Sequence, residues 1–585
     1  MSNEEAIRNE KMWHTAAHVF ASALTEIYPN VKIAIGPPIE MGFHYDFELD
    51  KNLNEKDLEK VEEKMKEILS RKEIMEQKII PINEALEVFK NNSYKVELIN
   101  DLKTSGEKEI STYKTGNFLD MCKGPHLEST SEIGAIKLLK MSSAYWKGNE
   151  KNKQLQRVYG IAFKTQQELD NWIKLRDEAE SSDHNKIGRE QNLFMTHELI
   201  GQGLPLLMPK GAKLFQILTR FIEDEEEKRG YVYTRTPYMA KSDLYKVSGH
   251  WEHYKDGMFM LGDEKNPGEV MALRPMTCPY QFLIYKNGLK SYKDLPIKYA
   301  ETSVLFRNES SGEMHGLTRV RQFTLSEGHI IVTPEQLENE FKEVINLINY
   351  VMDTLGIRED ITYRFSKWDP ENKKGKYIDN PDAWKHSQNE MKKILDHLGI
   401  KYVEAEGEAA FYGPKLDLQT KNVYGKEDTL ITVQIDFALP ERFDMTYVDS
   451  DGQKKRPYII HRSSIGCYER TMAMLIEKYK GAFPTWLSPE QVRIISISEK
   501  FNDYANKVKK ELLENEIRVK IDDRNETLGY RIRDAQKEKV PYIIVVGAKE
   551  ETEGKVAVRP RVGEQEILKI EEFIEKIKKE IKEKK

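Results

Sequence analysis

The sequence is short of cysteine, of long apolar runs and of excess positive charge, and each shortage closes off a class of protein. Only three cysteines occur in 585 residues: Cys122, Cys278 and Cys467. They cannot build a disulfide framework, so a reducing compartment is expected, and thiol chemistry must come from single cysteines with histidine or carboxylate neighbours. No stretch reaches the roughly 18 apolar residues that a membrane helix needs. The opening "MSNEEAIRNEK" has no apolar core of the kind a secretory signal requires, so a cytoplasmic protein without a membrane partner is expected. The balance of 91 Lys and Arg against 97 Asp and Glu gives a net charge of −6. That argues against a chain coated in positive potential, although local basic faces on an acidic whole still bind nucleic acid.

What is present is length and a globular balance, 39% hydrophobic and 32% charged. The chain is too long for one core, and three or four domains are expected. An apolar stripe Trp13, Ala17, Phe20, Leu24, Ile27 closing at Pro29 predicts an amphipathic helix, followed by strands in "VKIAIGPPIEMGFHYDFEL" and a charged helix near Glu55 to Lys72. This first α+β unit takes residues 1–165. A polar helical linker is expected over 166–191, without a core-facing stripe long enough for a domain. From 192 to 486 the strands "LPIKYAETSVLF", "TRVRQFTL" and "DTLITVQIDFAL" alternate irregularly with helices, which predicts a mixed, largely antiparallel sheet. Residues 487–585 read βαβαβ and end in a Lys/Glu-rich helix. The fold class is therefore multidomain α+β.

Several stretches carry chemistry. "LFRNESSGEMHGLTRVRQF" sets Arg307 and Glu309 on one arm of a loop and Arg319, Arg321 and Phe323 on the other. Guanidinium forks suit phosphate oxygens, a carboxylate accepts from an exocyclic amine, and an aromatic face stacks on a base, although a surface hairpin with ordinary salt bridges would read the same. "IIHRSSIGCYERTMAMLIEKY" runs from a strand through Gly466 into a helix that delivers Arg470, and "GAKLFQILTRFIEDEEEKRGYVYTRTPYM" is a long helix, a glycine stop and a strand ending at Pro237. At the other end of the chain, "HTAAH" and "DMCKGPH" offer His14, His18, Cys122 and His126. Taken alone, H-x3-H with C-x3-H is a zinc signature, because histidines at i and i+4 share a helix face.

The long helix, the strand-loop-strand with its arginines and the strand-helix with Arg470, in that order, resemble motifs 1, 2 and 3 of the class II aminoacyl-tRNA synthetases. "MTCPYQF", "SEGHIIV" and "IIHRSS", together with "GHWEHYKDGMF", "HGLTRVRQFT", "AFYGPKLDLQ" and "FPTWLSP", extend the resemblance to the threonyl-tRNA synthetases over nearly the whole chain. The resemblance implies a class II antiparallel catalytic core over 192–486, an editing domain over 1–165 and an α/β anticodon-binding domain over 487–585. It implies one Zn2+ on Cys278, His329 and His461, three ligands of the type that leaves a catalytic zinc an open position. Met276, Glu327, Tyr412 and Gln434 would line the threonine pocket. Arg307 would hold the α-phosphate and the carboxylate, Glu309 and Phe323 the adenine, and Arg319 and Arg470 the γ-phosphate of ATP with Mg2+. His250 would stand near the ribose of the tRNA end.

The same resemblance reassigns the two N-terminal motifs. His14, His18, Tyr45, Lys95, Asp120, Cys122 and His126 would form a metal-free site that hydrolyses seryl-tRNA, needed because zinc rejects valine well and serine poorly. Asn525, Glu550 and Arg559 would read the anticodon of tRNA(Thr), though an α/β domain with solvated charges fits them too. A homodimer through motif 1 is implied. The sequence departs from the family where Leu325 and Glu327 replace the more usual Gln and Asp, which puts threonine affinity in doubt. It also starts at the editing segment, without the small ubiquitin-like domain many members carry, an absence expected to abolish neither reaction. Two other functions, a deacylase that clears mischarged tRNA and an RNA-binding regulator without catalysis, are disfavoured by the joint presence of Arg307, Arg470, Cys278, His329 and His461.

Overall fold

The structure, a computed structural model, describes residues 3–263, 270–371 and 377–585. It divides into two compact units, Met1–Glu178 and Ala179–Lys585. In the first, helix Asn3–Ile27 buries Ala16, Ala17, Phe20 and Leu24 completely, the stripe expected of a helix with one core-facing side. It packs on an antiparallel sheet ordered Lys32–Ile33, Phe43–Glu48, Gln154–Phe163, Ala135–Tyr145. Helix Glu55–Ser70, started by a capping box between Asn54 and Asp57, adds Val61, Met65 and Ile68 to the same core. A second sheet of Met75–Pro81, Glu109–Thr115 and Phe118–Met121 carries Asp120 and leads into Cys122, and helix Ser93–Thr104 brings Lys95. Helix Gln166–Ser182 packs Leu169, Trp172 and Ile173 against this core.

The second unit is built on an eight-stranded sheet ordered Val232–Tyr233, Ile297–Phe306, Gln322–Val332, Tyr458–Cys467, Glu427–Asp436, Lys415–Lys421, Thr362–Lys367, Tyr402–Glu406. Its neighbours are antiparallel except for the two outermost pairs, so the mixed, largely antiparallel sheet is as expected. The helices Pro209–Glu227, Leu337–Thr354 and Tyr468–Tyr479 contribute apolar faces to the core that also takes Ile330, Val332 and Ile460 from the sheet. Alternation along a strand then turns Phe323, Leu325, Glu327 and His329 to the other face. Two local expectations are corrected. The strand read up to Pro237 pairs only at Val232–Tyr233, and Arg319 and Arg321 lie in the loop before the strand at Gln322 rather than on it.

The C-terminal sheet has three parallel strands, Val519–Asp522, Val492–Ser496 and Tyr542–Val546, followed by antiparallel Lys555–Pro560 and Glu566–Lys569. The last helix, Ile570–Lys582, is not merely a solvated face: it buries Ile570, Phe573, Ile574 and Ile577. Among the described residues no helix is long and apolar enough to cross a membrane.

Candidate functional site

Strand register places the soft ligands together. His329 pairs directly with His461 across neighbouring strands, and Gln434 faces His461 on its other side. Cys278 begins helix Cys278–Tyr285, and its ligand atom and those of the two histidines lie within 4.8 Å of one another. Each ring is held from behind. His329 Nδ1 meets Gln281 Oε1 at 2.5 Å, and His461 Nε2 meets Asp436 Oδ2 at 2.8 Å. These acceptors put the ring protons on His329 Nδ1 and His461 Nε2, the arrangement that backs metal-ligating imidazoles.

His329 Nε2 is buried with no hydrogen-bond partner. Burial pushes the Cys278 thiol well above its ordinary range and His329 well below, so neither carries charge unless a cation supplies it. An orphaned imidazole nitrogen, a thiol and a second backed imidazole fit zinc. Gln281 and Asp436 are functional candidates absent from the sequence reading. Gln281 stands three residues after Cys278 on a helix, a spacing that could have flagged it. Asp436 had no signal without the register.

Cys278 and His461 border a cleft of about 310 Å³ also lined by Met276, Arg307, Glu309, Arg319, Phe323, Leu325, Glu327, Tyr412, Gln434 and Arg470. All four residues expected to bind threonine and all five expected to bind ATP are in that lining. Glu327 accepts the Thr277 backbone N–H on both carboxylate oxygens at 3.2 Å and comes to 3.7 Å of His329 Nε2. The Tyr412 hydroxyl donates to Gln434 Oε1 at 2.5 Å. The Arg307 guanidinium lies over the Phe323 ring, 5.0 Å from its centroid, with Nε unpartnered. Arg470 donates through Nε to the Thr318 carbonyl at 3.0 Å and through Nη1 to the Thr429 carbonyl at 2.5 Å. Gly466 makes the strand-to-helix turn at φ +80°, where a Cβ would come within 2.1 Å of the Leu430 carbonyl oxygen, so only glycine delivers Arg470 this way.

Two expected residues stand differently. Arg319 is engaged by Glu309 at 2.9 Å and by Glu313 at 3.0 Å. His250 is 1% exposed and does not line the cleft; its Nδ1 is 2.7 Å from Ser248 Oγ, and its ring packs on Phe411. Burial, and then the neighbouring His461, hold His250 down to about 3.

In the first unit all seven expected residues converge. Cys122 Sγ is 3.1 Å from both His14 Nε2 and His126 Nε2. His14 Nδ1 faces the Pro125 carbonyl at 3.2 Å, and His126 Nδ1 faces Thr15 Oγ1, whose own proton goes to the Lys11 carbonyl. Both rings therefore keep their protons on Nδ1 and turn an unprotonated Nε2 toward the thiol. His18 lies with its ring centroid 4.7 Å from that of His126, and neither of its nitrogens has a partner. Lys95 Nζ pairs with Asp120 Oδ1 at 2.6 Å, and the Tyr45 hydroxyl donates to Asp120 Oδ2 at 2.8 Å. Burial holds His18 at about 3 and His126 at about 2 and pushes Cys122 up to about 11, so the cluster is neutral at physiological pH.

The three candidate anticodon residues are more dispersed. Asn525 is exposed and follows the strand ending at Asp522; Glu550 lies in helix Ala548–Glu553, where it caps the Gly547 N–H at 3.0 Å. Both stand at the C-terminal edge of the parallel strands. Arg559, opposite Ile543, sits further along the sheet.

Residues 259–479 match the tRNA synthetase class II core domain (G, H, P, S and T), residues 491–580 the anticodon binding domain, and residues 110–159 the threonyl and alanyl tRNA synthetase second additional domain. Over 570 residues the chain is 61% identical to the threonine--tRNA ligase of Clostridium botulinum (strain Eklund 17B / Type B), spanning 97% of this chain and 88% of that one. The threonine--tRNA ligase of Staphylococcus aureus (strain JH9) is 46% identical over 587 aligned positions, 100% of this chain and 90% of the relative. Among solved structures, the RNA binding domain of threonyl-tRNA synthetase from Cryptosporidium parvum Iowa II superposes with a TM-score of 0.63 at 34% identity, covering 68% of this chain and 98% of that one. The register that gathers two histidines and a cysteine beside an arginine-lined cleft thus sits in a chain whose relatives match it nearly end to end, and the chain belongs to the threonyl-tRNA synthetase family.

Proposed function

We propose that this chain joins L-threonine to tRNA(Thr) at the expense of ATP, through threonyl-adenylate, and hydrolyses seryl-tRNA(Thr) formed in error. The observation that carries the reading is the shared cleft, whose lining brings Cys278, His461 and Glu327 together with Arg307 and Arg470. Cys278, His329 and His461 would hold a zinc ion whose open position supplies a Lewis acid for the amino group and hydroxyl of threonine. Glu327, Tyr412, Gln434 and Met276 surround the amino acid. Valine lacks the hydroxyl and leaves polar groups of the site unpaired, which is a strong basis for rejection.

Arg307, whose Nε lacks a partner, is placed to bridge the carboxylate and the α-phosphate. Glu309 and Phe323 receive the adenine, and Arg319 and Arg470 the γ-phosphate, with Mg2+ arriving on the nucleotide. The carboxylate attacks the α-phosphorus in line and pyrophosphate leaves; fixed positive charge lowers the barrier and no side chain need move a proton. His250 would act in the later transfer to the tRNA ribose.

Serine keeps the hydroxyl and loses only a methyl, worth about 1–3 kcal/mol in a pocket, so a second sieve is needed. In the N-terminal unit the neutral Nε2 atoms of His14 and His126 would take a proton from a water attacking the seryl ester, with Lys95, Asp120 and Tyr45 fixing the floor of the site. The protein would work in the cytoplasm as a homodimer through the helix Pro209–Glu227 and the strand after it, with Asn525, Glu550 and Arg559 at the anticodon. Amino-acid-dependent pyrophosphate exchange across the twenty amino acids tests the assignment. Exchange with threonine is expected; exchange only with another amino acid, or none, contradicts it.

A further inference from the structure

One further group of histidine and carboxylates lies in the second unit: buried Asp183 and His184 with half-buried Glu477, whose ligand atoms lie within 4.8 Å of one another. Protein partners already occupy them. His184 Nδ1 is 2.7 Å from Glu477 Oε1, and His184 Nε2 accepts the Leu317 backbone N–H at 3.2 Å. Because Nε2 is the acceptor, the ring proton sits on Nδ1 and is donated to Glu477. Asp183 accepts from the Asn185 N–H at 2.8 Å and from the Tyr424 hydroxyl at 3.2 Å. No ring lone pair of His184 remains for a cation, so the group is a strut rather than a metal site.

The strut joins two segments that are far apart in sequence and each carry residues of the cleft lining. Glu477 is in the last turn of the helix that carries Arg470. Leu317 lies on the returning side of the loop between Arg307 and Arg321, and its neighbour Thr318 accepts from Arg470 Nε at 3.0 Å. Gly316 comes so near the ring, at φ +48°, that a Cβ there would lie 2.1 Å from His184 Nε2. His184 is 1% exposed and Leu317 fully buried, whereas residues 309–313 of the same loop are largely exposed. Ordering such a loop around a nucleotide costs conformational entropy, and a fixed point next to Thr318 and Arg319 reduces that cost before ATP arrives.

We propose that His184 is a positioning residue for ATP: its imidazole, oriented by Glu477, holds the loop by accepting the Leu317 N–H and so sets Arg319 and Arg470 for the triphosphate. The inference rests on the assignment of ATP to this cleft. Its two hydrogen bonds can be separated by substitution. In His184→Gln the amide oxygen stands near the place of Nε2 and can accept from Leu317, losing Glu477; in His184→Asn the amide nitrogen stands near the place of Nδ1 and keeps Glu477, losing Leu317.

Threonine-dependent pyrophosphate exchange is measured for the wild type, His184→Ala, His184→Asn and His184→Gln, with Tm recorded for each. His184→Ala and His184→Asn are expected to raise the KM for ATP about tenfold, the worth of one neutral hydrogen bond, with the KM for threonine changed less than about twofold. His184→Gln is expected to restore most of the ATP affinity. Equal KM values for ATP in the Asn and Gln variants, or equal rises in both substrates' KM that follow the fall in Tm, would overturn the proposal. If His184→Ala does not fold, the Asn and Gln pair decides alone. Absence of threonine-dependent exchange in the wild type would instead strike the assignment of the cleft.

Discussion

His461 and Asp436 form a buried pair in which the imidazole Nε2–H donates to the carboxylate at 2.8 Å, leaving Nδ1 as the ring's unprotonated nitrogen. The other carboxylate oxygen of Asp436 accepts the N–H groups of Ala438 and Leu439, both at 2.9 Å. Asp436→Asn can keep those two backbone bonds through its amide oxygen, but it turns an N–H group toward His461 Nε2. Zinc affinity is expected to fall about ten- to hundredfold with the fold retained. Competition with a chromogenic chelator, beside a Tm measured with zinc saturating, checks this.

Glu327 lines the cleft and accepts from the Thr277 N–H, and in the proposed function it meets the substrate's ammonium group. Glu327→Gln removes the charge and keeps the shape. A charge-assisted hydrogen bond of about 1.5–3 kcal/mol corresponds to a loss of roughly ten- to hundredfold in kcat/KM for threonine. The KM for ATP should stay near the wild-type value, as steady-state exchange at varied ATP would show.

Lys95 and Asp120 are a buried ion pair, their side chains 3% and 4% exposed. Removing one partner strands the other charge, which costs about 3–5 kcal/mol, whereas replacing both by apolar groups of similar volume is often close to neutral. Lys95→Met is therefore expected to destabilise the N-terminal unit strongly, and the double variant Lys95→Met/Asp120→Leu to recover most of that loss. Neither should hydrolyse seryl-tRNA. Denaturant unfolding beside a deacylation assay separates the structural role of the pair from its place in the site.

His18 and His126 are both held far below the ordinary imidazole range, chiefly by burial and then by neighbouring imidazoles. Below about pH 6.5 the unfolded chain takes up protons that the folded chain refuses, so their contribution to stability is complete above that pH. It falls away toward about pH 3, the folded value of His18. Each histidine contributes a slope of at most about 1.4 kcal/mol per pH unit. The denaturant midpoint of the N-terminal unit should drop between about pH 7 and 5, and less steeply in His18→Gln. Seryl-tRNA hydrolysis should be nearly flat between about pH 7 and 8, since His18 and His126 stay neutral there and burial holds His14 below its ordinary range.

Much of this site was legible because chemistry-bearing residue types are rare and occur in short motifs. His14 and His18 share a helix face by spacing alone, and Gly466 before Arg470 marked a strand-to-helix turn. The class II order of motifs placed Cys278, His329 and His461 together, and the cross-strand register of His329 with His461 is the physical cause. Sequence periodicity reports which face of a strand a residue occupies but not which strand lies beside it. Asp436 and the link from His184 to Leu317 were therefore invisible, and so was the engagement of Arg319 by Glu309 and Glu313, whereas Gln281 had the signal of its helical spacing from Cys278. The burial of His250 and the capping role of Glu550 likewise depend on neighbours that local sequence does not name.

In the proposed function a zinc ion on Cys278, His329 and His461 selects the amino acid. The most direct test is zinc content per chain of purified wild type and Cys278→Ala, measured with threonine-dependent pyrophosphate exchange on the same samples. About one zinc per chain is expected in the wild type, by the three-ligand count of a catalytic site, with zinc and exchange lost together in the variant. Retention of zinc by Cys278→Ala, or full exchange by a wild-type sample free of zinc, would contradict it.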